Sequence, residues 1–218
     1  LGTLSQVKIE NMDEQHRDYA SARLRGSDAA LKTSRIAIGV VAIAWGEGLE
    51  AVFADLGASR VIAAGDTMNP SIREILAAVD GVPSDNVILL PNNRNILPAA
   101  NQAIGESAKH LRVVSATTIP QGVAALLEFN PEVGMDENVS RMEQKLSSVQ
   151  TGEVCRAVRP VSLNGIEVAH GQLIGLLESD LVVAGNDPTE VLVSLLRTAG
   201  VSEDALVTLY WGEPLTQQ

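Results

Sequence analysis

Between Ile36 and Phe129 the chain alternates four times between an apolar run, a polar turn and an amphipathic segment. The apolar runs are Ile36 to Ala44, Arg60 to Ala64, Asn86 to Leu90 and Arg112 to Ala116. Each is short, rich in Val, Ile and Ala, and lacks clean period-two alternation. A strand buried on both faces reads this way, because neither side faces water. The turns that follow are Trp45 to Gly48, Gly65 to Ser71, Pro91 to Asn95 and Thr117 to Gly122. Helical spacing comes after every turn, most clearly at Ile72, Ile75, Leu76 and Val79, the i, i+3, i+4, i+7 positions of one face. Ser71 with Glu74, and Thr118 with Gln121, fit the capping box that satisfies orphan N–H groups at a helix start. Strand, helix and strand repeated at this spacing predict right-handed crossovers and a parallel sheet. All four turns should then lie on one edge, at the carboxyl ends of the strands, where open α/β sheets hold ligands or partners.

The flanks differ from this unit. Residues 1 to 34 contain one short alternating stretch around Val7-Lys8-Ile9 and then a polar run with few apolar anchors, which reads as a linker. A helix is expected from Asp136 to about Val149, with Val139, Met142 and Leu146 along one face. From residue 151 the rhythm becomes short β-type runs: Val154 to Val158, Val161 to Leu163, Ile166 to Val168 and Leu173 to Val183. Asn164-Gly165 is a strong hairpin signal, because a type I′ turn needs positive φ at both central positions. Asp187, Pro188 and Glu190 mark a helix start in three agreeing ways. That helix runs through Val191, Leu192, Leu195 and Leu196 to Gly200, and a last strand is expected at Leu206 to Tyr210. Trp211-Gly212-Glu213 then echoes Trp45-Gly46-Glu47 at the end of the first strand. The fold class is thus α/β, a parallel-sheet lobe over 35–150 followed by a smaller α+β lobe with an antiparallel meander over 151–218.

Composition narrows the functions. The chain has 218 residues, 45% of them hydrophobic but only 3% aromatic, so the core must be packed from aliphatic side chains. Sixteen basic against 27 acidic residues give a net charge of −11, which repels phosphate backbones and anionic lipid surfaces. Nucleic acid is not expected as a partner. No apolar run approaches the roughly 20 residues of a membrane helix, and the amino terminus carries no signal-peptide pattern. The single cysteine, Cys155, excludes an intrachain disulfide framework and fits a reducing compartment, so a cytoplasmic location is expected. In that compartment the sequon Asn138-Val139-Ser140 is without meaning.

Known chemistries are poorly represented. Gly46-Glu47-Gly48 fails the G-x-G-x-x-G fingerprint at Ala51, and there is no Walker A sequence. His16, His110 and His170 are far apart and at no metal-ligand spacing, and no G-x-S-x-G elbow presents a nucleophile. The turn residues are the remaining candidates: Gly46, Glu47, Gly48, Thr67, Asn69, Asn92, Asn93, Asn95, Thr118 and Gln121. Each Asn also suits a turn for structural reasons, since it tolerates left-handed geometry and bonds its own backbone. Together, four turns of uncharged donors and acceptors on one edge would form a polar surface able to read a partner's backbone or an anion.

The same residues carry a family resemblance. V-A-I-A-W-G-E-G-L (41 to 49), G-D-T-M-N-P-S (65 to 71), L-P-N-N-R-N-I (90 to 96), T-T-I-P-Q-G (117 to 122) and T-G-E-V (151 to 154), in this order, resemble the carboxyl-terminal region of DAK2-domain proteins related to the bacterial fatty acid kinase A subunit. V-K-I-E-N-M-x-E-Q-H (7 to 16) is similar to the end of that family's middle domain. The resemblance implies a DegV-like fold with a Rossmann-like first lobe, and a non-catalytic module that docks a DegV-type fatty-acid-binding protein. It implies that ATP and magnesium belong to a kinase domain outside this sequence, and that the chain works beside its own kinase and middle domains without a cofactor of its own. Cys155 does not map onto the Cys and His cluster of the middle domain. The resemblance also leads one to expect a further helix and strand beyond Gln218. Two alternatives stand beside docking: a lipid or small-molecule cleft between the lobes, and an enzyme using the turns as an oxyanion or phosphate site.

Overall fold

The computed structural model describes residues 36–64, 69–163, 165–202 and 204–212. They divide into two compact units, the first ending at Leu146 and the second beginning at Ser147. In the first, β1 (Gly39–Ala44), α1 (Glu47–Asp55), β2 (Arg60–Ala63), α2 (Ile72–Asp80), β3 (Asn86–Leu90), α3 (Leu97–Glu106), β4 (His110–Val113), α4 (Ile119–Leu127) and α5 (Met135–Leu146) follow in order. The four strands form one parallel sheet in the order β2-β1-β3-β4.

Two largely aliphatic cores flank this sheet, which explains why β1 shows no alternation in sequence. Val40, Ala42 and Ala44 pack with Phe53 of α1, with Ile119, Ala125 and Leu126 of α4 and with Met135, Val139 and Met142 of α5. Val41 and Ile43 face the other way, onto Ile75 and Val79 of α2 and Ala100 and Ala103 of α3. Only the central strands fit the expectation of burial on both faces. β2 and β4 are the sheet's edges and each has exposed positions. β4 also starts two residues earlier than its apolar run, because His110 and Leu111 already pair with Asn86 and Val87.

Local chemistry fixes the ends of the helices. Ser71 accepts from the Glu74 N–H while Glu74 Oε2 accepts from the Ser71 N–H at 2.7 Å, a complete capping box. The carboxyl end of α2 is closed from a distance by Lys109, whose Nζ donates to the carbonyls of Val79, Asp80 and Val82 at 2.9, 2.9 and 2.6 Å. In α5 the sequon residue Asn138 is buried, accepting from Asn130 N and donating to the Asn130, Val133 and Gly134 carbonyls, so it ties down the α4–α5 connection.

The second unit contains β5 (Gly152–Arg156), β6 (Val161–Leu163), β7 (Ile166–Val168), β8 (Leu173–Leu177), β9 (Asp180–Gly185) and α6 (Pro188–Thr198). β5, β8 and β9 form an antiparallel sheet in that spatial order, and β6 with β7 forms a separate hairpin closed at Gly165, φ 77°. The run from Leu173 to Val183, read in sequence as one β-type stretch, is two strands. Glu178 (φ 50°) and Ser179 (φ 79°) turn the chain between them, with positive φ at both positions as in a type I′ hairpin but without its usual Asn or Gly. α6 starts as expected, with Asp187 Oδ1 accepting from the Glu190 N–H at 2.9 Å.

Leu206 to Tyr210 is a correction. It forms no strand, and Leu206, Val207, Leu209, Tyr210 and Trp211 are all exposed. A strand exists only through a partner ladder, and this segment has the composition without a partner among the described residues. The echo at Trp211-Gly212 therefore does not stand at a strand end; Glu213 lies outside the described residues, as do Val7 to Ile9, His16, Thr67 and Asn164.

Candidate functional site

Because all strand pairs of the first unit are parallel, the segments following β1, β2, β3 and β4 emerge on one edge. The strand order places a topological switch between β1 and β3, since the chain leaves β1 toward β2 and later leaves β3 toward β4. Doubly wound folds bind ligands in the crevice that opens there, between the diverging turns.

The β1 turn is open. Gly46 has φ 86°, a conformation in which a side chain is strained, and Gly46, Glu47 and Gly48 are exposed. The first turn of α1 carries Glu47 and Glu50. These carboxylates already complement the positive helix end, so an anionic ligand would meet like charge. In the turn after β2, Asn69 is exposed and Thr67 is not described.

The β3 turn divides its asparagines among three roles. Asn92 is fully buried with φ 57°. Its Nδ2 donates to the Ile43 carbonyl of β1 at 2.9 Å, supplying a side-chain donor next to Pro91, which has no N–H to give. Its Oδ1 is buried, has no hydrogen-bond partner among the described residues, and lies against Gly122 in the first turn of α4, where a Cβ would come within 2.5 Å of Asn92 Cγ. Asn93 is half-buried, and its Oδ1 accepts from the Asn95 N–H at 2.8 Å, a local Asx-type bond. Arg94 and Asn95 are exposed. α3 then begins at Leu97, with Ile96 at the N-cap position and no side-chain cap.

At the β4 turn Thr118 Oγ1 accepts from the Gln121 N–H at 3.3 Å. Gln121 Oε1 reaches one residue further back than in a capping box and accepts from the Thr117 N–H and hydroxyl, each at 2.9 Å. Both residues are half-buried. The structure therefore brings together Gly46, Glu47, Gly48, Asn69, Asn93, Asn95, Thr118 and Gln121 along one edge and sinks Asn92 beneath it. Arg94 is the exposed edge residue that sequence reasoning passed over; its signal was its place between two turn asparagines.

Other chemistry is sparse. Among the described residues no cluster of His, Cys, Asp or Glu is placed to hold a metal, and no helix is long and apolar enough to cross a membrane. His110 Nδ1 lies 3.2 Å from Asn86 Oδ1, at the opposite end of the sheet. Burial pushes the Cys155 thiol above its ordinary range, with Glu153 adding to the effect, so a thiolate nucleophile is not prepared there.

Comparison with known proteins bears on this edge. A family model describing the C-terminal region of fatty acid kinase A-subunit-like proteins matches residues 39–218. Protein YloV of Bacillus subtilis is 36% identical over 217 residues, a match that spans 100% of this chain and 39% of that protein. Uncharacterized proteins of Staphylococcus haemolyticus and Staphylococcus saprophyticus are each 33% identical across 97% of the chain and 39% of their own lengths. The chain thus spans about two-fifths of the length of these relatives.

Proposed function

The chain belongs to the family of C-terminal regions of fatty acid kinase A-subunit-like proteins, and from that premise we propose that its turn edge docks a DegV-type fatty-acid-binding protein and presents the partner's acyl chain for phosphorylation. The chain itself does no phosphoryl transfer on this reading. It lacks a glycine loop followed by Lys to cradle phosphates, and ATP and magnesium are assigned to kinase regions outside this sequence.

The observation that carries the proposal is the way Asn92 ties the turns together beneath the switch point. Below the crevice where doubly wound sheets receive ligands, the buried Asn92 carboxamide bridges from Ile43 toward Gly122. Among the described residues this edge presents Gly46, Glu47, Gly48, Asn69, Arg94 and Asn95, all exposed. Such a surface suits a protein partner better than a buried small molecule, since affinity then comes from complementary contacts over an area.

Titration calorimetry of the chain with an acyl-loaded DegV-type protein tests this. Replacing Arg94 and Asn95 together by Ala should weaken binding by about 1 to 2 kcal/mol if they are central contacts. The same change should alter unfolding stability by no more than about 0.5 kcal/mol, because both residues are exposed. Unchanged affinity in that variant would remove the edge from the interface. Fatty acid bound by the chain without the partner would favour a ligand cleft instead.

A further inference from the structure

We propose that Asn92 and Gly122 form a lock that positions the turn edge, so that the end of β1, the β3 turn and the start of α4 behave as one piece. The inference deepens the docking reading and depends on it only for what the lock serves.

Three segments meet at one side chain. The backbone of Asn92 holds φ 57° in the β3 turn, a left-handed geometry that Asn tolerates better than most residues. Its Nδ2 fixes the Ile43 carbonyl near the end of β1 at 2.9 Å. Its Oδ1 presses on Gly122 of α4, and the missing Cβ is what allows that approach. Among the described residues the oxygen has no hydrogen-bond partner; it lies beside Gly122 in the first turn of α4, the positive end of that helix. A carboxamide meets these demands because it offers a donor at one end and an uncharged acceptor at the other. Asp would lose the donor and bury a charge, Ser would not reach both sides, and Ala would also strain the positive φ. Each segment leads directly to an edge amide bonded across its own turn: Glu50 N to Gly46 O, Ile96 N to Asn93 O and Gly122 N to Thr118 O, at 3.1, 3.1 and 3.0 Å.

Amide hydrogen exchange followed by NMR on the whole chain reads the lock directly. Asn92→Gly keeps the left-handed backbone and removes the side chain. It should speed exchange at Glu50, Ile96 and Gly122 together, about tenfold more than Val79→Ala; Val79 is equally buried but near the carboxyl end of α2, away from this edge. Gly122→Ala should do the same by displacing Asn92, and should add little in the Asn92→Gly background, where the three atoms nearest to its Cβ are gone. Acceleration confined to Ile96, effects that simply add, or effects no larger than those of Val79→Ala would overturn the lock. If Asn92→Gly does not fold, Gly122→Ala against Val79→Ala decides alone. The docking reading fails separately: Arg94 and Asn95 variants that leave partner affinity intact, beside three amides that respond together, sink docking and keep the lock.

Discussion

At residue scale, Asn92 concentrates the demands of the edge, and its replacement is the sharpest stability test. Asn92→Asp removes the donor to Ile43 O and places a carboxylate in a fully buried site. The cost at neutral pH should be roughly 3 kcal/mol, the scale for leaving a buried charge uncompensated. The pH dependence follows from desolvation: a carboxyl buried there binds its proton more tightly than in the unfolded chain. The variant should therefore regain stability as pH falls from 7 toward 4 and lose it as pH rises, which urea unfolding at several pH values would measure. Cys155, whose thiol is pushed up by partial burial and then by Glu153, should react with iodoacetamide more slowly than an unstructured thiol at pH 8, measured by mass spectrometry. The residue scale is also where sequence was least informative. Asn92, Asn93 and Asn95 look alike in the string, but one is sunk under the sheet edge, one closes a local turn and one faces water. What separates them is the position of Ile43 and Gly122, which are distant in sequence.

At the scale of elements, helix ends show which signals are local. Both partners of the Ser71 box lie within four residues, and the box was legible at sight; its cause is reciprocal bonding of two orphan N–H groups. Glu74 is held below the usual carboxylate range mainly by the Ser71 side chain, then by the Ser71 N–H. Its contribution is present above the unfolded Glu range and is lost as pH falls through the lower folded value. Glu74→Gln should accordingly flatten the acid limb of the stability profile below about pH 4.5, as thermal melts at pH 3 to 6 would show. Lys109 was not legible, because its three carbonyl partners lie some thirty residues away. Lys109→Met keeps most of the stem and removes the donors. It should cost about 1 to 2 kcal/mol in denaturant unfolding, the range for hydrogen bonds to a charged group discounted for partial exposure. The β8–β9 turn was missed for another reason: Glu178 and Ser179 adopt positive φ that neither prefers, so register and pairing override propensity there.

At the scale of the whole molecule the two units are built differently. The first has two aliphatic cores, one on each face of a parallel sheet, and this architecture was readable from four apolar runs with helix starts between them. The second has a smaller core: Ala157, Val168 and Leu181 form one buried cluster, and Leu173 of β8 with Val191 and Leu195 of α6 are buried as well. It leaves Leu206 94% and Trp211 61% exposed. Composition alone made Leu206 to Tyr210 look like a strand, but pairing is a property of two segments and cannot be read from one. Leu209→Ser should change the unfolding free energy of the chain by no more than about 0.5 kcal/mol, in line with an exposed side chain. A loss several times larger would mean that this segment is packed in solution.

The docking role of the turn edge is the central claim, and hydrogen–deuterium exchange by mass spectrometry, on the chain alone and saturated with an acyl-loaded DegV-type partner, tests it most directly. Docking through this edge predicts slowed exchange in peptides covering 45–50, 91–96 and 117–122, with peptides at the opposite end of the sheet, 81–86 and 107–110, unchanged. Slowing confined to residues beyond 147, or none in the three turns at saturation, would contradict it.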